Sequence, residues 1–537
     1  MEYPSKLVKY WRAAWTGLNY SRFPTLRPAP WSGVVLLLLS LTAAACPPAI
    51  WPYQVQGATD HSPIEGQRVT VRGTVTYTDQ QDTPQRNSLR GFFIQGPPSY
   101  QPNSSDGLFI YAPGHSVNRG DEVVVEGDVL EFHGLTELTR VRQVQRCGRQ
   151  ALPQPVTLGE PAERYEGMRV QLPASQIIDN YRLFPFGEIV VSDGTLQWTL
   201  EDGSNDRNLN YVPWGMVQDP ALLANGRRLA PLTGVLTWRW NTWVILPDNP
   251  PAPTDTPNWR QPSPPDSALR IVSWNVENLF NGGPDGFRQS RGARTQSEWL
   301  NQRRKIATNI AQLQGDLYAL QELEHDSGQP PAVLPELEEK LATAHGLTLR
   351  AIVPPVQSGD DAITQAFLFN PERLQPQGNL MLVPTAPRPS LAQVFEDYHG
   401  RTFGVINVHL KSRARCADIC AEERAHALSA ILHWQAQQPD VPWFMVGDFN
   451  TLTHENSFWA PLAQQGWTRA DVNTPTYWFR GQPQQLDHIW MKGVNPVPST
   501  RVIAGHAEMP PIPLGHPLYD AEKPWGASDH NPLVVDW

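Results

Sequence analysis

Between Asp248 and Pro265 the chain reads DNPPAPTDTPNWRQPSPP, with seven prolines from Pro250 onward. Proline fixes φ and lacks the N–H that a helix interior or a sheet ladder needs, so no regular element can cross this stretch. A semi-rigid extended linker over residues 249–267 is expected, reaching at most about 50 Å at roughly 3.1 Å per residue. It divides the 537 residues into two parts of different texture, and each must close its own core.

Ahead of the linker the pattern is β. Arg68–Thr78 alternates as RVTVRGTVTYT, and Gly91–Gln95, Leu108–Tyr111, Glu122–Leu130 and Leu135–Val144 follow as strands between Gly, Pro and Asn turns. Five short strands within residues 60–150 fit a small OB-like barrel. A second β unit is expected over residues 151–248. There Glu65-Gly66-Gln67-Arg68-Val69 returns as Glu166-Gly167-Met168-Arg169-Val170, and Gly127-Asp128-Val129-Leu130 has a counterpart in Gly234-Val235-Leu236.

Beyond the linker, over residues 268–537, apolar strands alternate with amphipathic helices. The strands include Arg270–Trp274, Leu317–Leu320, Phe403–Val408 and Trp443–Val446. Leu300–Gln314 places Ile306, Ile310 and Leu313 on one helical face and stops at Gly315, and Ala421–Gln437 does likewise. This part is an α/β domain.

Residues 1–46 read as a processing segment. Lys6, Lys9, Arg12, Arg22 and Arg27 precede the apolar run Val34–Ala45, which is too short to span a bilayer and ends in small residues. Export to the periplasm, outer surface or medium is expected. Cys46 sits where a bacterial lipobox would place its lipidated cysteine, although Ala43 departs from that pattern. A lipid anchor at Cys46 is the one membrane contact expected. An exported chain meets oxidising conditions, so Cys416 and Cys420 are expected to pair across a loop, while Cys147 reads as a small buried apolar residue. Forty-three basic against 53 acidic residues leave a formal charge of −10, which excludes a basic nucleic-acid coat but not a local basic groove.

Polar residues gather at strand ends in the α/β part. Asn275 and Glu277 follow Ile271–Trp274, Glu322 follows Leu317–Gln321, and His409 follows Val405–Val408. Asp448 and Asn450 follow Met445–Gly447, Asp487 closes Gln484–Leu486, and Asp529 with His530 precedes Leu533–Val535. The rim of an α/β sheet is where sites form. Carboxylate and amide oxygens favour a hard cation, Mg²⁺, Mn²⁺ or Ca²⁺, and two histidines remain for proton transfer. Such a set suits hydrolysis of a phosphate ester.

Six segments occur in order: Ser273-Trp274-Asn275-Val276-Glu277-Asn278, Leu320-Gln321-Glu322, Asn407-Val408-His409-Leu410-Lys411-Ser412, Gly447-Asp448-Phe449-Asn450, Leu486-Asp487-His488 and Ser528-Asp529-His530-Asn531. Together they resemble the endonuclease/exonuclease/phosphatase superfamily, and in finer texture its secreted bacterial nuclease branch, which often carries an OB-like region ahead of the catalytic domain. The resemblance implies a two-sheet α/β sandwich of deoxyribonuclease-I type and a nucleic-acid substrate, DNA in the first place; no protein partner is inferred. It implies Glu322 as principal metal ligand, helped by Asn275, Glu277 and Asp529. Asp448 and Asn450 would hold water and a phosphate oxygen, and His530, oriented by Asp487, would be base or charge stabiliser. His409 would act on a phosphoryl or leaving oxygen, with Lys411 and Arg424 near the phosphate. The base stays open between Asp448 and His530.

Two rivals remain at this level. A phospholipid or inositol-phosphate hydrolase would share the fold, since fold does not fix substrate. A non-catalytic surface-binding protein would not need the complete acid and histidine set. The basic cluster Arg288, Arg291, Arg294, Arg303, Arg304 and Lys305 is read either as a phosphate grip beside the site or as a solvated face.

Overall fold

The computed structural model describes residues 46–537 except 85, 205–213, 215–218, 257–258, 260–268, 284–285, 288–290, 327–331, 356–360 and 415–416. The expected export segment up to Ala45, Arg288, Cys416 and most of the proline-rich run therefore lie outside the described residues. Among those described, no helix is long and apolar enough to cross a membrane.

The first part is all β. Arg68–Asp79, Gly91–Gln95, Gly107–Tyr111, Leu135–Arg149 and Asp121–Phe132 close, in that spatial order, into a barrel. Alternation turns Val71, Val75, Phe92, Ile94, Leu108, Ile110, Val123 and Val125 inward as one apolar core. A bulge between Val75 and Tyr77 bends the first strand so that it pairs with Asp121–Phe132 along one half and with Gly91–Gln95 along the other.

An eight-stranded sheet follows, built on the same pairing. Arg169–Leu172 pairs antiparallel with Leu232–Arg239 as the barrel's first strand pairs with Asp121–Phe132. Gln197–Glu201 runs parallel to Thr242–Pro247 as Gly107–Tyr111 runs parallel to Leu135–Arg149. Even the register repeats, with Val69 opposite Gly127 and Val170 opposite Gly234. Gly66 and Gly167 both take positive φ, and their N–H groups donate to Val129 and Leu236 respectively. The short sequence echo is thus one turn-and-strand device used twice. Its second glycine also permits contact between the units, because a Cβ on Gly167 would stand 2.8 Å from the Leu108 nitrogen.

The second part is a four-layer α/β sandwich. One six-stranded sheet runs Arg350–Ile352, Ile363–Phe369, Leu317–Glu324, Arg270–Leu279, Leu533–Asp536, Ser499–Val502. The other runs Leu374–Val383, Ser390–Asp397, Thr402–His409, Trp443–Asp448, Asp487–Lys492, Thr468–Arg469. Ile271, Leu317, Phe367, Phe395, Phe403 and Phe444 fill the space between them. Helices Gln296–Leu313 and Val333–His345 cover the first sheet, and Ala417–Gln435 with Asn456–Gln464 cover the second.

One expectation is corrected here. Cys147 is not an isolated thiol, since it is disulfide-bonded to Cys46. A thioether to lipid at Cys46 and this disulfide are mutually exclusive uses of one sulfur. Cys420 is buried and disulfide-bonded as well. The first, described residues of the linker are tied to the second β unit. Pro253 bridges to Leu229, Thr254 donates to the Arg228 carbonyl, and Arg227 donates to the Asp255 carbonyl. The second β unit then packs on the α/β part directly. Ile512 and Leu518 join its apolar core, and the Phe184 and His516 rings meet at 4.8 Å.

Candidate active site

The two sheets bring their polar strand ends to a single cleft. Bulges interrupt the pairing of Arg270–Leu279 with Leu317–Glu324 between Asn275 and Leu279, and the pairing of Leu317–Glu324 with Ile363–Phe369 between Gln321 and Leu323. At these bulges Glu277, Asn278 and Glu322 all take positive φ, as does Asn450 in the second sheet's loop. Non-glycine residues hold such backbone only where the surroundings impose it, and functional sites are where this strain collects. The bulges re-aim Glu277 and Glu322 out of the sheet.

Asn275 is fully buried, and its Nδ2 donates to Glu322 Oε1 at 3.2 Å and to Asp448 Oδ2 at 3.3 Å. Its Oδ1 accepts the Glu277 N–H at 3.1 Å, so Asn275 brackets two carboxylates from the two sheets and keeps one lone pair of its oxygen free. Glu322 Oε2 accepts the Asn278 N–H at 3.1 Å. His409 ends its strand with Nε2 3.8 Å from Glu322 and 3.7 Å from Asp448. Asn450 donates its N–H to Asp448 Oδ1 at 2.8 Å and its Nδ2 to the Leu410 carbonyl.

His530 and Asp487 form a close ion pair, Nδ1 to Oδ2 at 2.8 Å, with Nε2 turned to Asp448 at 3.9 Å. Ser528 locks this loop by donating to the Asn275 carbonyl at 2.7 Å and accepting the His530 N–H at 3.0 Å. Trp274 Nε1 donates to the His530 carbonyl. Asp529 and Glu277 stand at the solvent-facing mouth.

The electrostatics follow from this crowding. Burial, with Asp487 alongside, pushes Asp448 up to about 7. Burial would lower His530, but Asp487, Asp529 and Asp448 outweigh it and hold the imidazole well above its ordinary value. His409 goes the other way, kept neutral by burial and by Arg388. The cleft thus sets a charged imidazole and a neutral one beside a carboxyl poised near neutrality.

The donor set fits a hard divalent cation. Among the described residues Asp448, Asp487 and His530 form the one compact group of three ligand atoms. His530 and Asp487 are spent on each other, however, which leaves Glu322 on the floor, with Glu277 and Asp529 at the mouth, as the carboxylates that would hold the ion, and Asp448 beside them. Carboxylates without sulfur ligands suit Mg²⁺, Mn²⁺ or Ca²⁺.

The remaining expected residues sit nearby. Lys411 is half-buried just past His409, and nearly buried Arg424 donates to its carbonyl at 3.3 Å, bracing the loop. The basic cluster is largely consumed by partners: Arg303 pairs with Glu336 at 3.0 Å, Arg304 with Glu522 at 3.1 Å, and buried Lys305 donates to the Trp525 carbonyl. Half-exposed Arg291 faces Asp361 at 3.7 Å. The sequence reading missed Arg388, whose buried guanidinium donates to Asp361 and to the Leu410 carbonyl behind His409. It also missed Tyr477, whose ring lies 4.8 Å from that of His530.

Residues 272–530 match the model of the Endonuclease/Exonuclease/phosphatase family, which supports placing the α/β part in that superfamily, a group of hydrolases that typically depend on divalent metal. Solved structures similar to the chain include an endonuclease/exonuclease/phosphatase from Bacteroides vulgatus, 14% identical, over 50% of this chain and 98% of that one with a TM-score of 0.35. The human Nocturnin catalytic domain is 20% identical over 50% and 93%, with a TM-score of 0.33. A mannosyl-6-phosphatase of Bacteroides thetaiotaomicron is 16% identical over 50% and 99%, with a TM-score of 0.34. No curated protein matches the chain.

Proposed function

We propose that the protein is an exported, metal-dependent phosphodiesterase that hydrolyses nucleic acid, DNA foremost. The observation that carries this is the His530–Asp487 pair at 2.8 Å, set against Asp448 and Glu322 at the floor of one cleft. In this reading a phosphodiester lies across Asp448, His409 and His530. His530, kept charged by Asp487, donates from Nε2 to a phosphoryl oxygen and stabilises the charge that builds there. Asp448, poised at about 7, takes the proton of the attacking water, and Asn450 and Asn275 fix its carboxylate. His409, neutral and held by its strand, donates toward the leaving oxygen. A divalent cation held by Glu322, with Glu277 and Asp529 in reach, would neutralise phosphoryl charge. The Cys46–Cys147 disulfide supports an oxidising compartment.

The test is incubation of the purified protein with plasmid DNA, RNA, sphingomyelin and phosphoinositide, each with and without chelator. DNA cleavage that chelator abolishes and added Mg²⁺ restores is expected. Headgroup release from either lipid with DNA left intact would overturn the proposal.

A further inference from the structure

A small hairpin, Tyr477–Phe479 with Gln482–Gln484, runs along the rim of the cleft. At its base Tyr477 bridges to His530 along the backbone and lays its ring beside the imidazole. At its tip Gly481, at φ +76°, meets the second β unit so closely that a Cβ there would lie 3.0 Å from the Ile178 carbonyl oxygen and 3.3 Å from Asp179 Cβ. The hairpin therefore leads from the imidazole to residues 178–182.

That segment is built as a pinned turn. Asp179 Oδ1 accepts the Tyr181 N–H at 2.9 Å. Asn180, only 2% exposed, donates Nδ2 to the carbonyls of Leu223 and Glu508, each at 2.9 Å. Burying an amide beneath the turn fixes the backbone above it, where Tyr181 is 67% exposed. Phe479 is half-exposed on the neighbouring hairpin. Each part of this rim also carries a guanidinium over a ring, Arg480 at 5.4 Å from Phe479 and Arg182 at 4.6 Å from Phe186. Arg182 is paired with Glu188, whereas Arg480 has no carboxylate partner among the described residues.

We infer that Tyr181 and Phe479, with the Arg480 guanidinium, form a stacking platform for the unpaired bases of a polynucleotide strand that leaves the cleft past Tyr477. The inference rests on the nucleic-acid reading above. Exposed rings alternating with arginine suit a ligand that alternates flat bases with phosphates. A continuous apolar patch, which a lipid surface would call for, is not what this rim presents. The platform makes the second β unit part of the substrate path.

The experiment compares the full chain with its Tyr181→Ala and Tyr181→Phe variants on two substrates, a short single-stranded DNA oligonucleotide and bis-(p-nitrophenyl) phosphate. Tyr181→Ala should raise KM for the oligonucleotide about five- to tenfold, the loss of roughly one stacked base, with kcat unchanged. Tyr181→Phe should keep the parent KM, and all three proteins should treat the small diester alike. An unchanged oligonucleotide KM in Tyr181→Ala, with the parent active on DNA, would sink the platform alone. Parallel loss on the small diester would make Tyr181 a structural residue and overturn it too. A parent that hydrolyses the diester yet neither binds nor cleaves the oligonucleotide would bring down the nucleic-acid reading and the platform together.

Discussion

Two clusters of buried acids stand in this molecule, and they solve the same problem differently. In the cleft, Glu322, Asp448 and Asp487 are interleaved with His409, His530 and Arg388. At the junction of the two β units, Glu131, Glu137, Glu163 and Glu166 crowd together with neutral donors. Glu166 Oε1 accepts from Gln56 Nε2 at 3.0 Å and the Thr136 N–H at 3.2 Å, and Glu131 Oε1 accepts from the Ser62 N–H and the Thr136 hydroxyl. Removing carboxylates from water costs free energy in both places. The junction avoids most of that cost by protonation: burial pushes Glu166 well above its usual range, and Glu137 and Glu163 up to about 7. The cleft keeps charges of both signs in contact and opens onto solvent. Buried acids alone therefore do not mark a site; acids that share their space with a held imidazole do.

The largest effect should separate the clusters by turnover. His530→Ala and Asp448→Asn should each lose at least about a hundredfold in kcat, the lower range for a general acid or base. Glu166→Gln, which keeps shape and removes only the titratable proton, should leave kcat unaltered. Steady-state rates on plasmid DNA, with circular dichroism to verify folding, make the comparison. Near-parent turnover in His530→Ala and Asp448→Asn would erase the distinction.

Much of the cleft was legible in the sequence, because each of its acids and imidazoles follows an apolar strand whose period is plain. The five barrel strands were legible for the same reason, and the structure extends them by at most a few residues at the ends. What stayed hidden has physical causes. Helix Val333–His345 buries Val333, Leu334, Leu337 and Leu341 on one face, but Pro335 and a run of glutamates mask that stripe. Helix Gln296–Leu313 starts before its apolar face does, because Thr295 caps it through the Glu298 N–H. Arg388 lies in a loop with no periodicity, and only the third dimension puts it behind His409. Cys46 and Cys147 are 101 residues apart, a separation that local pattern cannot bridge. The junction acids look like surface residues until the second unit covers them.

A middle-sized effect concerns the contact between the β units and the cleft. Glu508 holds Asn531, the neighbour of His530, through Oε1 at 2.9 Å, while its own carbonyl accepts from Asn180 and from the Asn225 N–H at 2.7 Å. An independent enzyme on a tether would keep full turnover on small substrates once the β units are removed. With Glu508 supported from the β side, a chain beginning at Leu269 should instead lose kcat on bis-(p-nitrophenyl) phosphate as well as stability. Asn180→Ala is the milder version, costing about 1–3 kcal/mol for the unmade hydrogen bonds. Scanning calorimetry should find its Tm lower by roughly 2–4 °C per kcal/mol. Parent-like kcat and Tm in the shortened chain would restore the tether.

The smallest effect is a pH dependence of opposite sign in the two regions. Burial pushes Glu137 and Glu163 up to about 7, so the folded junction binds protons that the unfolded chain, near its ordinary 4.5, releases earlier. Their contribution to stability is full below about 4.5 and is lost as pH rises through about 7. In the α/β part burial lowers His488 to about 4 and His506 to about 3. Both are neutral in the fold while the unfolded chain takes up protons near 6.5, so stability there is full above about 6.5 and falls as pH drops toward 4 and 3. Hydrogen exchange corrected for intrinsic rates, read separately over the barrel junction and over the strand carrying His488 and the bend carrying His506, should find the junction better protected at about pH 5 than at about pH 8. The α/β segments should behave in the reverse sense. The double variant Glu137→Gln/Glu163→Gln should flatten the junction's profile and leave the other untouched, and a common slope in both regions would mean that the two clusters respond to protons as one.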